Sequence, residues 1–143
     1  MGVRNERDKT VKQMILTTAV LLGVGTTAIA NSSAESDNVK AILESQSDMW
    51  VEILTESGED LVSFRPLVGW RCDLNSVKYG FNGDDAVNTF EMAPCGGTGL
   101  ESGDYLLHVT AAAGSVNSVK VMITYDDGSQ SDSTMNRDDI LVN

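Results

Sequence analysis

Few side chains in this sequence could carry out a reaction. It has one histidine, His108, and two cysteines, Cys72 and Cys95. Nucleophilic catalysis needs a nucleophile, a base beside it and a third group that orients the base. His108 stands in an alternating stretch, Asp104–Ala111 (DYLLHVTA), on the side it shares with Asp104 and Thr110. There it reads as a surface residue. No G-x-S-x-G occurs, and Gly96-Gly97-Thr98-Gly99 is followed by Leu100 and Glu101 where a phosphate loop needs Lys and a hydroxyl residue. Glycoside hydrolysis uses two carboxylates across one bond, and no pair stands out among 21 acidic residues. The expectation is a protein with no catalytic residues and no cofactor.

Two other chemistries remain. Asp84-Asp85 and Asp126-Asp127 lie in turn-forming sequence, and Asp132, Asp138 and Asp139 lie near the tail. Calcium takes six to eight oxygen ligands and favours such loops. There is no EF-hand spacing, however, and aspartate favours turns by bonding its own backbone, so no tight metal site is expected. Sugar binding needs an exposed aromatic ring. If Met49–Glu56 (MWVEILTE) is a strand, Trp50 shares a face with Glu52 and Leu54, opposite Met49, Val51 and Ile53. Trp50 is thus the candidate ligand platform. Trp70, two residues before Cys72, is expected to pack on a disulfide.

The segments that must position these residues begin after an export signal. Met1–Gln13 is charged and net basic, Met14–Ile29 is uncharged and mostly apolar, and Ala28-Ile29-Ala30 has the small-x-small pattern of a cleavage site. Residues 1–30 are read as a signal peptide, which places the protein in the periplasm, at the cell surface or outside the cell. In an oxidising compartment the only two cysteines should pair, Cys72 with Cys95. Four basic and two acidic residues fall in the signal, so the remaining 113 carry 6 basic and 19 acidic groups. That balance argues against nucleic acid or an anionic membrane as partner. No later apolar run approaches the length of a membrane span.

Residues 31–48 form a polar, flexible leader, in which Val39–Ser45 could be a helical turn or a first edge strand. Residues 49–143 form one all-β domain. Strands are expected at Met49–Glu56 and Leu61–Arg65, joined by the loop Ser57-Gly58-Glu59-Asp60. Further strands are expected at Val68–Asp73, Ser76–Phe81, Val87–Met92, Asp104–Ala111, Ser118–Tyr125 and Ser129–Thr134. Inward positions are Val77, Tyr79 and Phe81, then Tyr105, Leu107, Val109 and Ala111, then Val119, Val121, Ile123 and Tyr125. Seven to eight strands at this spacing suit a two-sheet sandwich.

Three runs carry a family likeness: Ser76-Val77-Lys78-Tyr79-Gly80-Phe81-Asn82-Gly83, Thr89-Phe90-Glu91-Met92-Ala93-Pro94, and Leu100 through Ala111 with Gly103 and Tyr105. In order and spacing they resemble a bacterial extracellular immunoglobulin-like (Ig-like) β-sandwich module. The resemblance implies that Tyr105 is a corner tyrosine, its ring in the core and its hydroxyl on backbone. It also implies a disulfide between central strands, and there the sequence departs, because Leu107 stands nearest the expected second cysteine. The function it suggests is adhesion, assembly or other protein or glycan contact at the cell envelope, made by loops or by strand edges near Val39–Ser45 and Ser129–Thr134. The alternative is a small carbohydrate-binding module built on Trp50.

Overall fold

In Ser118–Tyr125, every second side chain is apolar, and Val119, Val121, Ile123 and Tyr125 are all buried to 1% exposure or less. The computed structural model, which describes residues 27–96 and 106–140, places this strand at the centre of a four-stranded antiparallel sheet. The strands in chain order are β1 (Glu52–Glu56), β2 (Glu59–Ser63), β3 (Leu74–Phe81), β4 (Asn88–Phe90), β5 (His108–Ala112), β6 (Ser118–Tyr125) and β7 (Gln130–Asn136). One sheet has the order β1-β2-β5 and the other β4-β3-β6-β7. Both contribute to a single core: Ile53 and Val62 from the first sheet, Val77, Phe90 and the β6 residues from the second, and Phe64 and Leu67 from the connection between them. Phe64 stacks on Phe90 with ring centroids 4.4 Å apart and lies 5.3 Å from Tyr79. The protein is a mostly-β sandwich.

The β1–β2 hairpin is tighter than the sequence suggests. Glu56 pairs with Glu59, leaving only Ser57 and Gly58 in the turn, both at positive φ (54° and 85°). A two-residue turn of that hand matches the twist of its strands. Glu59 and Asp60, expected in the loop, are therefore strand residues, and Asp60 joins Val62 on the buried face.

One further expectation is corrected, and one open choice is resolved. Val68–Asp73 is not a strand: the chain forms a short helix, α2 (Arg65–Val68), then turns as far as β3. Pro66 sits in its first turn, where a missing N–H costs nothing and the fixed φ suits a helix. Of the two readings open for Val39–Ser45, the helical one holds: the segment is the end of helix α1 (Thr27–Ser45), which also takes in the polar leader. Val39 and Leu43, four apart on one helix face, are buried in the core. A 3-10 turn at Ser47–Met49 and a last short helix, α3 (Arg137–Ile140), complete the described elements. Most of the expected signal peptide, as well as Gly103 and Tyr105, lies outside the described residues. Among those described, no helix is long and apolar enough to cross a membrane.

Candidate functional site

Trp50 does not form a platform. It is 1% exposed, and its Nε1 donates a 2.9 Å hydrogen bond to the Leu43 carbonyl. The two-residue alternation holds only inside a strand, and β1 starts at Glu52. The 3-10 turn before it rotates Trp50 inward against α1, leaving Leu54 and Met49 as exposed apolar residues.

The acidic turns lie at opposite ends of the four-stranded sheet. β3 and β6 pair from Leu74↔Tyr125 to Phe81↔Val119, so Asp84-Asp85 follows one end of the ladder and Asp126-Asp127 the other. Each turn has its own cation. Lys120 bonds Asp85 at 3.2 Å, and Lys40 of α1 bonds Asp127. The Lys40 ammonium and the Ser129 hydroxyl and N–H lower the Asp127 pKa to about 2. Ser36 and Glu44 add bonds to Asp126 and Ser131, at 3.5 and 2.7 Å, and so α1 is fastened along the β6–β7 hairpin. Among the described residues no group of three or more histidine, cysteine or acidic side chains is gathered as a metal site.

The buried charge that sequence reading missed is Asp60. It is fully buried and bonds Arg137, 77 residues away. Its Oδ2 accepts from Arg137 Nη1 at 2.7 Å and from the Val116 N–H at 3.2 Å. Its Oδ1 accepts from Arg137 Nη2 at 3.0 Å and from the Thr55 hydroxyl at 2.8 Å. Arg137 also donates to the Val116 carbonyl and to Thr55. The guanidinium is the chief reason the Asp60 carboxyl is held far below the usual carboxylate range, against the opposing effect of burial. Every lone pair has a donor, so this set reads as a clamp joining β2, the β5–β6 connection and the start of α3. Parity was the available signal: Asp60, Val62 and Phe64 alternate, and a charge on an apolar face requires a partner.

Cys72 and Cys95 are bonded, with Cα atoms 4.8 Å apart. The bridge joins the turn before β3 to the segment after β4. His108 begins β5, half-buried opposite Ser63, while Leu107, Val109 and Ala111 pack on the core as the alternation predicts.

No family model, curated protein or solved structure matches this chain.

Among the described residues, a cleft and a sheet edge are open to another molecule. One is a 440 Å³ cleft beside the disulfide, lined by residues on both sides of the β3–β4 divergence. The other is the edge of β7, the last strand of its sheet, which pairs with no further strand among the described residues. Tyr125 N–H bonds the Ser129 carbonyl at one end of the β6–β7 ladder, and Arg137 N–H bonds the Asn117 carbonyl at the other. Antiparallel pairs alternate between bonded and non-bonded. Both ends therefore assign Ser131, Ser133 and Met135 to β6, and direct the backbone groups of Gln130, Asp132, Thr134 and Asn136 to the open edge.

Proposed function

We propose that this chain is an exported, non-enzymatic Ig-like module that works by contact at the cell envelope, with the β7 edge as its contact strand. The observation that carries this reading is the character of that edge. It is seven residues long, pairs with β6 without a bulge, and has no proline or lysine; its one charge is Asp132. Exposed edges are ordinarily blunted by such residues or bulges, because an open row of N–H and C=O groups templates another strand. Strand addition then supplies affinity through main-chain bonds. The strand order supports the Ig-like part: β1-β2-β5 against β4-β3-β6-β7 is A-B-E against C′-C-F-G in immunoglobulin lettering. Burial of Trp50 removes the support for a sugar platform.

The test is site-specific photocrosslinking in intact cells. A photoreactive side chain at Thr134 should give one defined adduct, whose mass identifies the partner as a second copy or another protein. Asp132→Pro deletes an outward N–H and leaves the β6 ladder whole, so it should abolish that adduct. An adduct insensitive to Asp132→Pro, or equal crosslinking from Thr110 on the edge strand β5, would reject the β7 edge. Mass spectrometry of the envelope fraction checks export: the mature chain should begin at Asn31.

A further inference from the structure

The β7 edge runs between two clefts. Near its start a 280 Å³ cleft is lined by Glu44, Ser47, Trp50, Ser131 and Asp132. At its end a 450 Å³ cleft is lined by Asn117, Asn136, Arg137, Asp138 and Asp139. Asp132 lines one and Asn136 the other, four steps of extended chain apart, or about 13 Å. The 3-10 turn at Ser47–Met49 comes close to β7 but, among the described residues, makes no backbone hydrogen bond to it. The row of backbone groups between the clefts is left open.

Both clefts are negative. Glu44 and Asp132 are exposed, and no cation bonds either of them among the described residues. Glu44 accepts from the Ser131 hydroxyl at 2.7 Å, a neutral donor. Asp138 and Asp139 are exposed as well, and Asp139 accepts from the Asn136 amide at 3.3 Å. Arg137 stands beside them, but its guanidinium is held on Asp60, whose buried carboxylate cancels the charge. The other nearby cations have partners too: Lys40 bonds Asp127, and Lys120, across the ladder from Thr134, bonds Asp85. Carboxylates left without counter-charge beside a contact surface favour a cationic partner and repel an anionic one.

That pattern argues against a second copy of this chain. From Asn31 on, the basic residues are Lys40, Arg65, Arg71, Lys78, Lys120 and Arg137, and no two stand closer than six positions. No strand of the chain could therefore offer a positive charge to each cleft, and pairing β7 with its own copy would bring two acidic edges together. We propose, resting on β7 as the contact strand, that its edge takes an extended segment of another protein carrying two lysines or arginines four residues apart. The backbone of that segment adds to Gln130, Asp132, Thr134 and Asn136. One basic side chain reaches Glu44 and Asp132, and the other reaches Asp138 and Asp139.

The experiment is titration of the purified full chain, followed by backbone amide shifts, with three acetylated and amidated peptides. The first is Thr-Lys-Val-Thr-Val-Lys-Thr. The second has glutamate in place of both lysines, and the third, Thr-Val-Lys-Thr-Lys-Val-Thr, sets the lysines two apart. The first should saturate at millimolar concentration with shifts at Gln130, Asp132, Thr134 and Asn136. Its affinity should fall about threefold or more when salt is raised from about 50 to about 500 mM. Neutralising one cleft, by Glu44→Gln with Asp132→Asn or by Asp138→Asn with Asp139→Asn, should weaken it about threefold, the usual worth of an exposed ion pair. The third peptide should lose about as much, and the glutamate peptide about tenfold. The four substituted side chains are exposed and keep an oxygen for Ser131 and Asn136, and the peptide comparison needs no variant. Lysine and glutamate peptides that shift β7 alike would reject the charge selection and leave the contact strand standing. Equal binding of the third peptide would reject the two-cleft spacing. Shifts confined to other residues, or no saturation by any peptide, would overturn the contact strand as well. Dimerisation of the chain alone, with β7 amides shifting on dilution, would assign the edge to a second copy and overturn the proposal.

Discussion

Replacing Asp60 by Asn keeps the shape of the side chain and removes its charge. The fully buried carboxylate takes two bonds from Arg137, one from Thr55 and one from the Val116 N–H. An amide has one acceptor oxygen where the carboxylate had two, so its NH2 must face donors it cannot satisfy, and the guanidinium loses its counter-charge. Breaking a buried, hydrogen-bonded ion pair costs about 3–5 kcal/mol. At roughly 4 °C per kcal/mol for a domain near a hundred residues, the melting temperature should fall by roughly 12–20 °C. Urea unfolding followed by far-UV circular dichroism gives the free energy directly. In a double-mutant cycle with Arg137→Met, the two single losses should exceed the double loss, because the pair fails as a unit. The pH dependence has a definite sign. The folded carboxyl is depressed below its unfolded value near 3.9, so the unfolded state binds the proton more readily. Stability from Asp60 is fully present above about pH 4 and drains away as the pH falls toward the folded value. Asp60→Asn should flatten that acid limb. A loss under about 1 kcal/mol, additive single losses, or an unchanged acid limb would refute the clamp.

Cys72→Ser with Cys95→Ser should cost about 3 kcal/mol, the loop-entropy value for a separation of 23 residues; the check is a urea melt, with intact mass before and after reduction confirming the bridge in the parent. Trp50→Ala should cost about 3–5 kcal/mol as a large core truncation, and Trp50 emission in a Trp70→Phe background should resist acrylamide quenching. Gly80→Ala should destabilise by about 1–3 kcal/mol, since a Cβ there would lie 2.6 Å from the Asp84 carbonyl oxygen and force the β3–β4 turn outward; the melt of the variant decides this.

Where burial on one face set the pattern, the sequence was readable. Val119 to Tyr125 announced β6 and its inner face, and Asp126-Asp127-Gly128 marked the turn into β7. The errors came where local geometry breaks the two-residue period. Val68, Trp70 and Cys72 alternate like a strand, but they belong to a helix and its trailing turns begun by Pro66. Trp50 alternates with Glu52 across a 3-10 turn, so the apparent phase is wrong by a rotation. In Val39–Ser45 the helical spacing of Val39 and Leu43 was present, but seven residues satisfy both periods. The Asp60–Arg137 pair spans 77 residues, and sequence spacing carries no trace of it. Only the parity of Asp60 with Val62 did, once the hairpin turn is known to be two residues long. The cleft beside the disulfide depends on where a ladder stops, a property of the pairing of two strands that neither strand's sequence reveals by itself.

The fastening of α1 has a mechanical meaning. Ser36 and Lys40 meet the β6–β7 turn, while Glu44 meets Ser131 further along β7. The start of the helix therefore points out past that turn. Arg137, at the other end of β7, is held by Asp60. Tension applied to the two ends of the described chain would enter the sheet at opposite ends and run along its strands. Hydrogen bonds loaded in that direction must shear together, whereas bonds pulled from one end unzip singly. The Lys40–Asp127 and Arg137–Asp60 pairs sit at the two points where such a load would enter. A pull between the two ends of the described chain would therefore load the β6–β7 ladder along its strands rather than across them.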